Sequence, residues 1–157
     1  MANFDQSGTP GTQKRAEMKV ETFLPDGYRP AEDEPFMNDK QLEYFRCKLL
    51  EWKAELLELS AETLEGLAES ARNVPDIADR ASEETDRALE LRTRDRQRKL
   101  VSKIDAALRR IENGEFGYCE KTGEPISLKR LDARPIATMT LEAQEKHERR
   151  ERVHRND

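Results

Sequence analysis

Two apolar series with an alternating three-and-four step dominate this chain, and the short stretch between them, residues 73–81, makes it double back. Leu42, Phe45, Leu49, Trp52, Leu56, Leu59 and Thr63 form the first series, which is the spacing of a coiled-coil seam. It shifts register near Gly66 and continues through Leu67, Ala71 and Val74. The second runs Ile77, Ala81, Glu84, Ala88, Leu91, crosses a polar stretch at Asp95 and Arg98, and resumes at Val101, Ile104, Leu108 and Ile111. Asn113-Gly114 supplies the stop. Pro75 ends the first helix or begins the second. Arms of matching length joined by so short a turn run antiparallel. The expected fold is therefore mainly α: a long antiparallel coiled-coil hairpin over 37–112 with its tip at 73–81. Thirty-five helical residues span ~52 Å at ~1.5 Å each.

The tip holds two carboxylates, Asp76 and Asp79. One reading is local: Asp76 caps the second helix and Asp79 complements its positive end. The other is functional: a stiff arm with an acidic end is a probe. Charge is polarised along the arm. Acidic residues dominate from Glu51 to Glu90, and basic ones from Arg92 to Arg110. The simplest account is a solvated surface with i,i+4 pairs. The functional account is an acidic probe with a phosphate-binding shoulder.

Charged residues make up 39% of the chain and hydrophobic ones 35%, which suits an elongated helical protein with a thin core. A net charge of -5 argues against binding nucleic acid through bulk charge. No apolar run approaches the ~20 residues needed to cross a bilayer, and no signal-peptide core opens the chain. The expectation is a cytoplasmic protein.

Outside the hairpin, residues 1–36 collect Gly8, Pro10, Gly11, Pro25, Gly27, Pro30 and Pro35 without apolar period and read as a flexible tail. Asn38 and Gln41 form a capping box, with Met37 and Leu42 as its hydrophobic staple. Residues 113–139 read as a small knuckle with Phe116, Tyr118, Ile126, Leu128, Leu131 and Ile136 as its core and Ser127 as a helix cap. Residues 140–157 are a charged C-terminal helix. Gly117-Tyr118-Cys119-Glu120-Lys121-Thr122-Gly123 looks like half of a zinc knuckle, but a structural zinc needs four thiolate or imidazole ligands. Cys119 is the only thiol there and reads as a small buried hydrophobe. Cys47, off the seam, reads as exposed. No nucleophile–base pair, phosphate loop or paired-His helix motif occurs, so no enzyme is expected.

Several segments together resemble the TraR/DksA family of RNA polymerase secondary-channel regulators, over roughly Met37 to Gln144. They are Met37-Asn38, Asp76-Ile77-Ala78-Asp79-Arg80-Ala81, Leu89-Glu90-Leu91-Arg92-Thr93-Arg94-Asp95-Arg96, Phe116-Gly117-Tyr118-Cys119-Glu120 and Arg130-Leu131-Asp132-Ala133-Arg134-Pro135. The resemblance implies a coiled-coil hairpin, a small globular knuckle and a C-terminal helix. It implies a partner, RNA polymerase, whose secondary channel the hairpin enters without touching DNA. It implies an effector, ppGpp, with which such proteins destabilise promoter complexes in the stringent response. It places Asn73, Asp76, Asp79 and Ala81 at the polymerase active centre and Arg96 against the polymerase. It places Leu100, Lys103 and Arg134 around ppGpp. A monomer is expected.

The family's four zinc cysteines fall at Cys119, Thr122, Thr140 and Ala143, which looks like a zinc-independent branch. Thr140 would then cap the last helix and Thr122 would bond within its turn. Gln144 stands where the family usually has a lysine, so one contact to phosphate is missing. Two other functions compete. A transcript-cleavage factor also sends carboxylates through the same channel. A coiled-coil adaptor would show apolar residues on an outer face, and the outer faces read as charged.

Overall fold

The computed structural model describes residues 23–70 and 77–154. Helix α1 spans Asp39–Ser70, α2 Ile77–Asn113, α3 Leu128–Ala133 and α4 Leu141–His154. At ~1.5 Å per residue the two long helices reach ~48 and ~55 Å, and they pack on one another as the hairpin expected from the seams.

The N-terminus of α1 is fixed by the paired bonds its sequence announces. The Asn38 Oδ1 accepts from the Gln41 backbone N–H at 2.8 Å, and the Gln41 Oε1 accepts from the Met37 N–H at 2.9 Å. Gln41 is fully buried, and its Nε2 donates to the Ala31 carbonyl at 3.2 Å and to Glu34 at 3.3 Å. The loose tail expected through residue 36 therefore needs correction. From Tyr28 onward the segment is tied to α1 and the knuckle, because the cap side chain reaches back ten residues. Tyr28 bonds Glu34 and stacks edge-on against Tyr44, and Phe36 does the same against Tyr118.

The hairpin seam is closed only over its base. Phe45, Leu49, Leu56, Ile104 and Ala107 are buried, with Leu42, Trp52, Val101, Leu108 and Ile111 packed around them. A Lys53–Asp105 pair at 2.7 Å bridges the two helices. Beyond Leu56 the expectation fails: Leu59 is 50% exposed and Leu91 51%. At this level α2 presents Arg94, Asp95, Gln97 and Arg98, whose polar ends do not bury a leucine. There the Gln97 Oε1 is shut off from solvent with no hydrogen-bond partner among the described residues. An interhelical cleft opens at this level between Leu56, Leu57 and Ser60 on one side and Leu91, Gln97 and Val101 on the other.

Helix α2 ends where Asn113-Gly114 predicts, with Gly114 at φ 75° and the Glu115 and Phe116 amides bonded to the Arg110 carbonyl. The knuckle then folds onto the hairpin base. Phe116 meets Phe45 at 5.4 Å between ring centroids, and Cys119, Ile126, Leu128, Leu131, Ile136 and Ala137 complete one continuous core. Ser127 caps α3 by accepting from the Arg130 amide. Thr140 caps α4 by accepting from the Ala143 amide at 3.3 Å. Cys47 is half-buried, with its thiol 3.5 Å from Glu43, rather than exposed as its off-seam position suggests. None of the described helices is long and apolar enough to cross a membrane.

Candidate functional site

Arg92, Arg96, Lys99 and Lys103 follow one another at four-three-four spacing, which stacks them on a single face of α2. Trp52 from α1 stands on one side of that face, and Arg134 and Ile136, just past α3, close the end. Together with Asp95 and Leu100 they line an open groove of about 650 Å³. Four of the residues expected from the family resemblance, Arg96, Leu100, Lys103 and Arg134, thus come together from two separate segments. Trp52 and Asp95 were not anticipated as site residues, and Arg92 and Lys99 only as part of the basic shoulder. The periodicity of the basic residues on α2 was a usable signal for Arg92 and Lys99.

The groove is strongly cationic. Asp95 pairs with Lys99 at 2.8 Å and more loosely with Arg98 at 3.6 Å. The hydrogen bond and charge of Lys99 hold the Asp95 carboxyl below its ordinary range, so it stays ionised and offsets one cation. Among the described residues, Arg92, Arg96, Lys103 and Arg134 have no carboxylate within ion-pair distance. Such a cluster, with a tryptophan and aliphatic floor beside it, suits a compact polyanion that also carries an apolar or aromatic part. Gln144 does not reach the groove. Its amide donates to Glu148 at 2.8 Å along α4.

Of the tip residues, Ala81 is exposed on α2. Asn73 and Asp76 lie outside the described residues, and of Asp79 only the helix backbone is described.

The knuckle brings Cys119, Thr122 and Thr140 together around one thiol. Burial alone would push the Cys119 thiol up. Hydrogen bonds from the Thr122 side chain and from the Thr140, Lys121 and Thr122 amides outweigh it and bring the thiol down to about 6. These are donors to a sulfur, not ligands to a metal. The Thr122 hydroxyl oxygen accepts from the Glu124 amide at 3.4 Å, the Thr140 hydroxyl is spent on the α4 cap, and the Ala143 side chain has no ligand atom. The chemistry of a four-thiolate zinc site is missing from these positions, so the residues present do not fit zinc.

A long helical hairpin joined at its base to a small knuckle, with a basic groove at the junction, places the chain among helical-arm proteins. Two family models match this chain: "DnaK suppressor protein DksA, N-terminal domain" over residues 41–111 and "Prokaryotic dksA/traR C4-type zinc finger" over 114–149. The RNA polymerase-binding transcription factor DksA of Caulobacter vibrioides is 72% identical over 130 residues, 83% of this chain and 92% of that protein. Its counterpart of the same name in Escherichia coli K12 is 37% identical over 143 residues, 89% of this chain and 95% of that protein. The solved structure of transcription factor DksA2 from Pseudomonas aeruginosa superposes with a TM-score of 0.70 at 41% identity, covering 74% of this chain and 90% of that one. The chain belongs to the DksA family.

Proposed function

We propose that this protein binds RNA polymerase and regulates transcription initiation, with its hairpin inserted into the secondary channel and ppGpp as effector. The observation that carries the reading is the groove. It gathers Arg96, Leu100, Lys103 and Arg134 at the junction of hairpin and knuckle, where a polyphosphate would be held between this chain and its partner. Leu100, Lys103 and Arg134 contact ppGpp in this reading, and Arg96 contacts the polymerase. Asn73, Asp76, Asp79 and Ala81 act at the far end near the polymerase catalytic centre, roughly 30–35 Å from the groove along the arm. The protein acts in the cytoplasm as a monomer, without catalysis of its own, without DNA contact and without zinc. The partner is supported by the names of relatives that this chain matches over most of their length, RNA polymerase-binding transcription factors.

The test is a pull-down of RNA polymerase followed by transcription from a ribosomal-RNA promoter with and without ppGpp. The expected result is binding, repression, and deeper repression with ppGpp. Absence of polymerase binding overturns the reading. Binding with transcript cleavage in backtracked complexes, and no promoter effect, would replace it with the cleavage-factor alternative.

A further inference from the structure

The inward face of the hairpin changes character above its base. Counted on from Leu49 and Leu56 in threes and fours, the inward positions of α1 are Ser60 and Thr63. Counted back from Ile104 and Val101, those of α2 are Gln97, Arg94 and Glu90. Burial agrees with the count. Between Leu57 and Gly66 on α1 only Ser60 and Thr63 are not exposed, and between Arg80 and Gln97 on α2 only Glu90, Arg94 and Gln97. The two sets meet. Lys53 pairs with Asp105, so seven residues further along each antiparallel helix Ser60 comes level with Arg98 and its neighbour Gln97. Ser60 and Gln97 line the same cleft.

The outer half of the hairpin thus has a polar lining. The bulk that would fill it, at Leu57, Leu59, Leu64, Leu89 and Leu91, is turned aside and exposed. No polar contact takes its place. Among the described residues Lys53–Asp105 is the last hydrogen bond or ion pair to cross from α1 to α2. Thr63 bonds the Leu59 carbonyl of its own helix, and the Gln97 Oε1 has no partner there. A space of about 330 Å³ stays open between the helices. A fully buried leucine contributes about 1.5–3 kcal/mol. The base holds Phe45, Leu49, Leu56 and Ile104, whereas the described part of the outer half adds no residue to the core. Each outer helix continues one that the base has already started, which removes the cost of nucleating it alone.

We infer that the hairpin is a two-part device: a fixed base, and an outer half whose helices part and rejoin about the layer of Leu56 and Val101. The spacing of the helices toward the far end is then set by what surrounds the arm rather than by a core of its own. The inference concerns the free chain, so it stands apart from the function proposed above.

Hydrogen exchange of the full chain, read by mass spectrometry, tests it. Amides of residues 57–66 and 80–97 should exchange at least ~100-fold faster than those of 45–56 and 101–111, while circular dichroism shows both long helices intact. Gln97→Leu removes the unpartnered oxygen and puts an apolar side chain into the gap, with a helix propensity close to that of glutamine. It should slow exchange roughly tenfold in 80–97 and, across the gap, in 57–66 as well. The slowing on α1 is the deciding readout, because a change confined to α2 would not produce it. The inference is overturned if the outer amides of the parent are protected like those of the base, if dichroism shows the outer helices unfolded, or if Gln97→Leu leaves exchange on α1 unchanged.

Discussion

The Met37 side chain occupies the space that a Cβ on Gly117 would need: such an atom would stand 2.8 Å from Met37 Cγ and 2.9 Å from its Sδ. Both residues have unusual backbones, Met37 at φ 52° and Gly117 at φ 91°. Met37 is the one non-glycine among the described residues with positive φ, a conformation that costs a residue with a Cβ about 1–2 kcal/mol. The pairing of Phe36 with Tyr118 at 5.4 Å lies next to it. The segment before α1 is thus pinned to the loop that, in zinc-bearing relatives, would be organised by metal.

Gly117→Ala should therefore destabilise the fold by on the order of 1–3 kcal/mol, from strain at positive φ together with the clash against Met37. Met37→Ala on that background should recover the steric part and leave the strain. Denaturant melts of the two single variants and the double give the coupling directly. Additive losses would show that the two side chains do not share the space.

The Lys48–Asp132 pair ties α1 to α3, with the Tyr44 hydroxyl donating to the same carboxylate at 2.9 Å. The Lys48 hydrogen bond leads in holding the Asp132 carboxyl below its ordinary 3.8. The contribution is present above that ordinary value and is lost as pH falls below it, through the folded value. Side chains exposed by 35% and 44% limit it to under about 1 kcal/mol. Melting of the parent and of Asp132→Asn should differ at pH 7 and converge as pH falls below the ordinary carboxylate range. A gap that persists unchanged in acid would mean that the aspartate acts through shape alone.

The knuckle should stand without metal. Its thiol is free and buried in the core, and its loop is laced to α2 by the Arg110 guanidinium, which donates to the Glu115 and Tyr118 carbonyls. Protein purified without chelator should carry far less than one zinc per chain, and EDTA should leave Tm unchanged. Stoichiometric zinc in elemental analysis would refute this.

How far the sequence reached depended on how local the cause was. The arms, the caps at Asn38, Ser127 and Thr140 and the stop at Gly114 rest on short-range periodicity and backbone bonding, and they read correctly. The distal seam did not. Counting Leu59 as buried required an apolar partner, and only the three-dimensional pairing shows that α2 presents Arg94, Asp95 and Arg98 at that level. The groove was half legible. Lys103 and Arg134 came through the family resemblance, whereas Trp52 enters from the other helix and carries no local mark of it. Against the expectation of charged outer faces, Leu50, Leu57 and Leu64 are exposed; they went unread because each follows a residue of the stronger seam.

The groove and the tip are separated by most of the arm, so the two should fail separately. Lys103 is exposed on α2 in a groove of four cations without carboxylate partners among the described residues. Lys103→Ala removes one charge-assisted contact to phosphate, about 1.5–3 kcal/mol, and nothing that holds the hairpin together. It should leave folding and basal repression intact and weaken the response to ppGpp roughly tenfold or more in effector concentration. Asp79→Asn keeps size and hydrogen-bonding capacity at the start of α2. It changes little contact area but alters the field where charge matters most. Polymerase affinity should stay within about tenfold, ~1.4 kcal/mol, while repression falls severely with or without ppGpp. If Asp79 served only to start its helix, the same variant would show a lowered Tm with repression preserved. Measuring Tm, polymerase affinity and repression across a ppGpp titration on both variants separates these outcomes. Loss of basal repression in Lys103→Ala equal to its loss of ppGpp response would show that the groove and the tip act as a single unit.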